Sequence, residues 1–450
     1  MNYVPTDTGI PSGSGDIKSV AIIGSGISGA SAAWALSKTH DVVLYEADVR
    51  PGGHTATVDI DYDGTQIAVD TGFIVYNELN YPNLTALFDH LKVKTHASNM
   101  SFSLSLDEGR LEWSGATYGS LFAQKRNLVS LSFLMMLKEI VRFNSACVAD
   151  RNAGLVNAMS IGDYLEFRKF SPRFRDDYLI PMAAAIWSTP RVKMLDFPAD
   201  AFITFFENHR LIHNERPDWR TVTGGSRNYL GKLLTAVPGG ARTGCAVTSV
   251  RRSGQQVYVT DETGASRRFD RAIIACHSHH ALKLLIDATP TEHDVLDAVK
   301  YRPNRVVLHR DASFMPKRKR AWAAWNYLRT SLEGAEPDVT VTYWMNRLQG
   351  IADDKQLFIT LNPTREPVSG TVFGEWTYEH PQFDAQAISA QQNLPRIQGR
   401  GGIWFAGAWT GFGFHEDGLR SGLEAAEALG AQLPFPVHGS TIRRVMEAAE

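Results

Sequence analysis

The chain has 450 residues, 46 Lys and Arg against 48 Asp and Glu, a formal charge of −2, and 44% hydrophobic residues. That profile excludes disorder or a collagen-like repeat as the main state, and at roughly 100–200 residues per domain it allows several cores. A balanced charge offers no field to attract a polyanion, so a nucleic-acid partner is not expected.

Residues 1–19 carry Pro, Gly, Ser and Asp but neither a basic start nor an apolar run, and read as a flexible tail rather than a signal peptide. The cysteines, Cys147, Cys245 and Cys276, are odd in number and far apart, which argues for a reducing compartment and a cytoplasmic location. No stretch reaches the roughly 18 apolar residues of a spanning helix, because the greasiest, Leu128 to Val141, is broken by Ser130, Ser132, Lys138 and Glu139.

Val20 to Ile23 form a β-branched run suited to a buried strand, and Gly24, Gly26 and Gly29 follow with Ser28 inside the motif. Gly24 permits a tight turn, Gly26 lets a pyrophosphate reach the backbone, and Gly29 lets the next helix lie close to the strand. A second strand, Asp41 to Tyr45, ends at Glu46, twenty residues beyond Gly26, with Ala47 beside it. A carboxylate there can accept from both hydroxyls of an adenosine ribose. Next come Arg50, Gly52, Gly53, His54 and Thr55, a second glycine turn suited to a second backbone approach to the pyrophosphate of a long, extended cofactor. The segment resembles the glutathione-reductase-like FAD fold of flavin amine oxidases and phytoene desaturases, whose signature after the second strand is E-x3-R-x-G-G.

An alternating hairpin pattern with Asp63-Gly64 as its turn follows. The resemblance implies that it returns the chain to the flavin, with Asp70, Thr71, Gly72 and Phe73 near the isoalloxazine ring. From about 81 to 218 the patterns are longer and helical, rich in Phe, Leu, Met and Arg. A helical piece after Thr223-Gly224-Gly225-Ser226, a strand with Val247, a further hairpin and the strand ending at Cys276 are similar to the second cofactor-binding segment of flavin oxidases. Val247 stands where that family's backbone meets the adenine. Aromatic strands and loops from about 288 to 395 are expected to roof the flavin. A last strand, Ile403 to Ala406, runs through Gly407 and Ala408 into a helix expected to begin near Asp417-Gly418, with Leu419 next and small residues along one side. Its N-terminus can face the flavin pyrimidine edge.

The expected fold class is α/β: a Rossmann-like FAD-binding domain of the flavin amine oxidase and phytoene desaturase type with an interleaved α+β substrate domain. The FAD domain is discontinuous over 20–80, 222–287 and 396–432, the substrate or cap domain covers 81–221 and 288–395, and 433–450 form a C-terminal extension. From Val20 to Gly430 the chain resembles the amine-oxidase-like NAD/FAD-binding proteins often found beside cyclopropane-fatty-acyl-phospholipid synthases. Phrases such as DTGFIVYN, GGSRNYL, TYWMN and FAGAWTGFGFHEDGL carry that likeness. Where the wider family has an acid after the glycine of the last strand this chain has Ala408, so the ribityl contact falls to Glu416 or Asp417.

The resemblance implies an FAD-dependent desaturase of methyl-branched, phospholipid-derived fatty acyl chains, with a lipid or acyl-chain substrate and partner enzymes of fatty-acid modification. A flavin amine oxidase or other small-molecule oxidase, and a flavin-binding partner protein without turnover, stand as alternatives. No lysine can be assigned the water-bridging role typical of amine oxidases. Phe73, Tyr76, Trp325, Tyr343, Trp344, Trp409 and Phe412 are candidates to line a dry pocket. His415 is the first candidate base and Tyr76 the second, and His54 is a candidate cofactor contact. His209 and His213 read as a solvated helix face, and no metal is expected at His277, His279 and His280. Lys317 to Arg320, beside Trp322 and Trp325, would favour peripheral contact with the inner face of an anionic membrane.

Overall fold

The computed structural model describes residues 18–213, 217–329 and 339–439. Nearly all of the expected flexible tail, and the expected C-terminal extension beyond residue 439, lie outside the described residues.

Five parallel strands form one sheet in the order Ala241–Arg242, Asp41–Tyr45, Ser19–Ile23, Arg271–Ile274, Ile403–Phe405. Ser19–Ile23 sits at its centre, with Val20, Ala21 and Ile22 wholly buried, as a parallel strand covered on both faces requires. The helix Ile27–Leu36 follows with every residue buried. Against it lies the terminal helix, His415–Ala428, close enough that a Cβ on Gly422 would stand 2.1 Å from the Ser28 carbonyl oxygen. Small residues make this crossing possible, and the crossing ties the end of the chain to its first glycine turn.

The hairpin Thr57–Tyr62 with Thr65–Asp70 turns at Asp63 and Gly64, whose φ angles of 52° and 86° suit a two-residue turn. A separate antiparallel sheet joins Val247–Ser253, Gln256–Asp261 and Ser266–Phe269.

The largest sheet has seven strands in the order Val372–Gln382, Lys300–His309, Phe358–Leu361, Thr340–Trp344, Trp325–Arg329, Phe102–Leu106, Leu111–Ser114. All pairs are antiparallel except Trp325–Arg329 with Phe102–Leu106. Its last two strands come from the stretch expected to be helical. In FSLSL the serines alternate with Phe and Leu, a period of two that surrounding helical patterns mask. Conversely, the stretch expected to hold strands and loops contains helices Pro290–Ala298 and Ala385–Gln392. The first is started by a capping box between Thr289 and Glu292. Helices Leu131–Asn152, Ile180–Trp187 and Ala199–Asn208 pack into one apolar core with this sheet. No helix among the described residues is long and apolar enough to cross a membrane.

Candidate active site

A cavity of about 830 Å³ runs from the first glycine turn to the large sheet. Two of the turn's glycines are demanded by packing. A Cβ on Gly24, whose φ is 100°, would lie 2.6 Å from the Ala275 carbonyl oxygen, and one on Gly29 would lie 1.8 Å from that of Gly24. Gly26 is different, because a Cβ there would meet nothing within 4 Å. Gly53 from the second turn stands against it, its own Cβ position 3.5 Å from the Gly26 Cα. Gly26 also caps the Ile27–Leu36 helix without any side-chain acceptor for its first N–H groups. An anionic group between the two turns would satisfy them.

Glu46 joins the turns. Its Oε2 accepts from the Ser25 N–H at 2.9 Å and hydroxyl at 2.5 Å, its Oε1 accepts from the Asp48 N–H at 2.9 Å, and Ser25 Oγ accepts from the Gly52 N–H at 2.9 Å. Arg50 folds the second turn by donating to the carbonyls of Pro51, Gly53 and Thr55. A smaller space of about 370 Å³ opens beside Glu46, lined by Ala47, Val247, Cys276 and His280 and suited to an adenosine. His54 lines the main cavity with its buried Nε2 lacking any protein partner, and its ring is flanked by Tyr378 and His380 at 4.9 and 5.6 Å. Burial, then the neighbouring His380 and Arg50, lower its pKa to about 3, so the ring is neutral at pH 7. Two facing glycine turns, an adenosine-sized recess beside a carboxylate and an orphaned ring nitrogen together fit FAD.

Thr71, Gly72 and Phe73 continue the cleft wall. A Cβ on Gly72 would stand 2.2 Å from the His54 carbonyl oxygen. Asp70 anchors this segment by accepting from Thr57 Oγ1 at 2.5 Å, the Ser226 N–H at 2.9 Å and Gln349 Nε2 at 2.9 Å, and burial raises its pKa to about 6. Phe73 stacks on His415, ring centroids 3.9 Å apart and 10° from parallel. His415 Nε2 is engaged by the Tyr229 hydroxyl, which in turn lies 2.6 Å from Thr55 Oγ1. Burial, and then His54, lower the His415 pKa to about 3.

Several sequence expectations change here. The terminal helix starts at His415, not near Asp417-Gly418, because the Asp417 carboxylate accepts from the Phe412 and Phe414 N–H groups and so caps it. Asp417 also pairs with Arg420 at 3.1 Å. Glu416 accepts from both nitrogens of Asn83 and from the Leu84 N–H, capping the helix Pro82–Leu91, and burial raises its pKa to about 7. Both carboxylates are thus committed to helix starts, and neither lines the cavity to replace the acid missing at Ala408. Gly418 and Leu419 pack inward, and Gly29 and Thr55 lie behind the wall, whereas Gly407 and Ala408 do line it. Tyr76 packs edge-on against Tyr81 and Phe88 in the core and is not a wall residue.

Beyond the glycine end the wall turns aromatic and aliphatic. Phe73, Trp325, Tyr343, Trp409 and Phe412 contribute as expected, but Trp344 turns away, donating its indole N–H to Gln356 Oε1. Met100, Trp113, Ile140, Tyr178, Met182 and Ile186, which the sequence did not single out, complete it. Ile140, Tyr178, Met182 and Ile186 carried only an apolar helical spacing shared with any core residue, Trp113 stands in the strand Leu111–Ser114, and Met100 lies outside any helix or strand. His209 is not on a solvated face. It stacks on Phe205 at 3.8 Å, lines the cavity with Arg210, and burial lowers its pKa to about 4.

His277, His279 and His280 gather around Glu379 with candidate ligand atoms within 4.8 Å of one another. His277 Nδ1 lies 3.2 Å from a Glu379 oxygen, and Tyr301 stacks on His277. In the basic run, Lys317 pairs with Glu108 and Arg318 with the buried Glu112, so two of its four cations are occupied within the protein.

Residues 27–430 match the family model described as flavin containing amine oxidoreductase. No curated protein sequence matches the chain. Among solved structures, a putrescine oxidase variant aligns with a TM-score of 0.66 at 16% identity, covering 92% of this chain and 99% of its own. Cyclohexylamine oxidase from Brevibacterium oxydans IH-35A gives 0.65 and 16%, with 92% and 99% covered. A CLA-producing fatty acid isomerase from P. acnes gives 0.61 and 14%, with 92% and 98% covered. At such identities these likenesses speak for the fold alone.

Proposed function

The chain belongs to the flavin-containing amine oxidoreductase family and is an FAD-dependent oxidoreductase, and from that premise we propose that it desaturates methyl-branched fatty acyl chains derived from phospholipids. The observation that carries this reading is the far half of the cavity. It is continuous with the glycine end and walled mainly by aromatic and aliphatic side chains, with Asn144, His209, His213 and Arg210 among them, while the two carboxylates among the described residues that line the cavity are Glu46, beside the first glycine turn, and Glu379, beside His277. Each buried methylene of an acyl chain would gain about 0.8 kcal/mol in such a wall. An ammonium among those apolar side chains would lose its hydration and meet the Arg210 guanidinium.

Bound FAD supplies the two-electron acceptor. The chain's own residues position the substrate, exclude water and hold the proton. Oxidation of a C–H bond beside a methyl branch develops positive charge on carbon, which alkyl substitution and aromatic faces favour. A hydrogen next to that carbon becomes strongly acidic, so even a neutral imidazole of low pKa suffices to accept it. His415 is the candidate acceptor, in the tautomer whose Nε2–H donates to Tyr229 Oη and leaves the Nδ1 lone pair for the proton. A desaturated chain results, after loss of two electrons and two protons in total from adjacent carbons.

Mixing the purified protein anaerobically with methyl-branched fatty acid, putrescine or cyclohexylamine tests this. The acyl substrate is expected to bleach the oxidised flavin band and the amines to leave it intact. Bleaching by amines alone would make the protein an amine oxidase, and bleaching by none of them would favour flavin binding without turnover.

A further inference from the structure

We propose that the outer face of the Leu131–Asn152 helix, with the turns leading into it, docks on an anionic lipid bilayer. It deepens the acyl-chain reading, on which its purpose rests, by naming where the substrate comes from. The helix has three distinct sides. Phe133, Met136, Phe143 and Cys147 are fully buried, and Ile140 and Asn144 line the cavity. The third side turns Leu131 (75% exposed), Leu134, Met135 and Val141 (68%) to the outside. Leu128 (53%) and Val129 (86%) continue this exposed apolar run through the preceding turn, and Tyr118 (87%) is exposed on the turn before it.

Burial in the chain's own core does not explain these side chains, and so contiguous an apolar patch marks an interaction surface. Charge selects the bilayer as its occupant. Lys125, Arg126 and Lys138 are exposed along the same stretch. The two acids of the helix are turned inward, Glu139 accepting from the Ser171 N–H at 2.9 Å and Asp150 from the Tyr164 hydroxyl at 2.7 Å. The Tyr118–Leu121 turn also packs against Lys319–Ala321, which brings Lys319 and Arg320 to the patch edge. Apolar side chains ringed by cations on a helix lying flat are what an anionic interface recognises. A single helix then separates the lipid surface from the cavity, a short path for an acyl chain. Lys317 to Arg320, the run that the sequence pointed to, lies at the rim of this face and not at its centre.

The test is co-sedimentation of the flavin-loaded full chain with vesicles of phosphatidylglycerol and phosphatidylcholine, against vesicles of phosphatidylcholine alone. Strong binding to the anionic vesicles, weakened by salt and by omitting phosphatidylglycerol, is expected. A triple variant, Leu131→Glu, Met135→Glu and Val141→Glu, should bind at least tenfold more weakly, while its flavin spectrum and its bleaching by detergent-dispersed branched acid stay unchanged. Lys125→Glu with Lys138→Glu should weaken binding without altering the apolar face. Equal sedimentation of wild type and triple variant, no binding to anionic vesicles, or a wild-type dimer that the triple variant dissociates would overturn the proposal. Vesicle binding without bleaching would uphold docking and sink only the acyl-chain reading, and bleaching without vesicle binding would do the reverse.

Discussion

Replacing Gly26 with valine is expected to yield a folded protein that has lost its flavin. The backbone at Gly26, φ −59° and ψ 177°, is open to any residue, and a Cβ there touches nothing within 4 Å. The protein's own packing therefore has no objection to a side chain. The space such a side chain would occupy is the gap facing Gly53 at the N-terminus of the Ile27–Leu36 helix, where the pyrophosphate needs backbone N–H groups within reach. FAD affinity should fall at least a hundredfold, about 2.7 kcal/mol, with circular dichroism of the apoprotein unchanged. Gly29→Val and Gly422→Val make the contrast. Their Cβ atoms would sit 1.8 Å from the Gly24 carbonyl oxygen and 2.1 Å from that of Ser28. Neither clash can relax without parting the helix from the strand or from the terminal helix, so both variants should fail to fold. Equal flavin content in Gly26→Val and wild type would mean that the cofactor lies elsewhere.

Mild acid should unfold the protein, with a steep loss of stability between pH 6.5 and pH 5. Six histidines carry it. His54 and His415 are lowered to about 3, and His209, His277, His309 and His380 to about 4, burial being the main cause in every case. A depressed folded pKa means that the unfolded chain takes up protons first. The stability is complete above pH 6.5 and is lost as pH falls toward the folded values. At pH 5 each histidine costs about 2 kcal/mol relative to neutral pH. Asp70, raised to about 6, and Glu416, raised to about 7, act with the opposite sign, since their stabilisation is present at low pH and fades as pH rises through those values. Together they return roughly 3 kcal/mol over the same interval. The histidines outnumber the carboxyls that burial raises, Asp70, Glu416, Asp177 and Asp417, so the net stability falls as pH drops from 7 to 5. Urea midpoints at pH 7 and pH 5 check this. A higher midpoint at pH 5 would show that the carboxyls dominate.

What the sequence made legible was short-range. The strand and glycine turn from Val20 to Gly29, the acid at Glu46 and the Asp63-Gly64 hairpin each announce themselves within a few residues, because turn chemistry and strand burial are local. Contacts between distant residues stayed hidden. Glu416 reads as a cofactor ligand until Asn83 is seen to claim it across more than three hundred residues, and nothing near Tyr229 marks it as the partner of His415. Tyr76 sits next to the cleft segment in sequence, but the two-residue strand Tyr76–Asn77 pairs with Trp219–Val222 and the side chain goes to the core. The run from Leu128 to Val141 shows a further limit. Composition marked it as apolar, and only the three-dimensional arrangement separates residues that fill the core from those that face outward.

The most direct measurement is a titration of the refolded apoprotein with FAD, followed by flavin absorbance and intrinsic fluorescence. One tightly bound FAD per chain is predicted, with FMN unable to replace it because the recess at Glu46 and Val247 is built for the adenosine end. A chain that stays colourless in excess FAD, or that takes FMN equally well, would contradict the account.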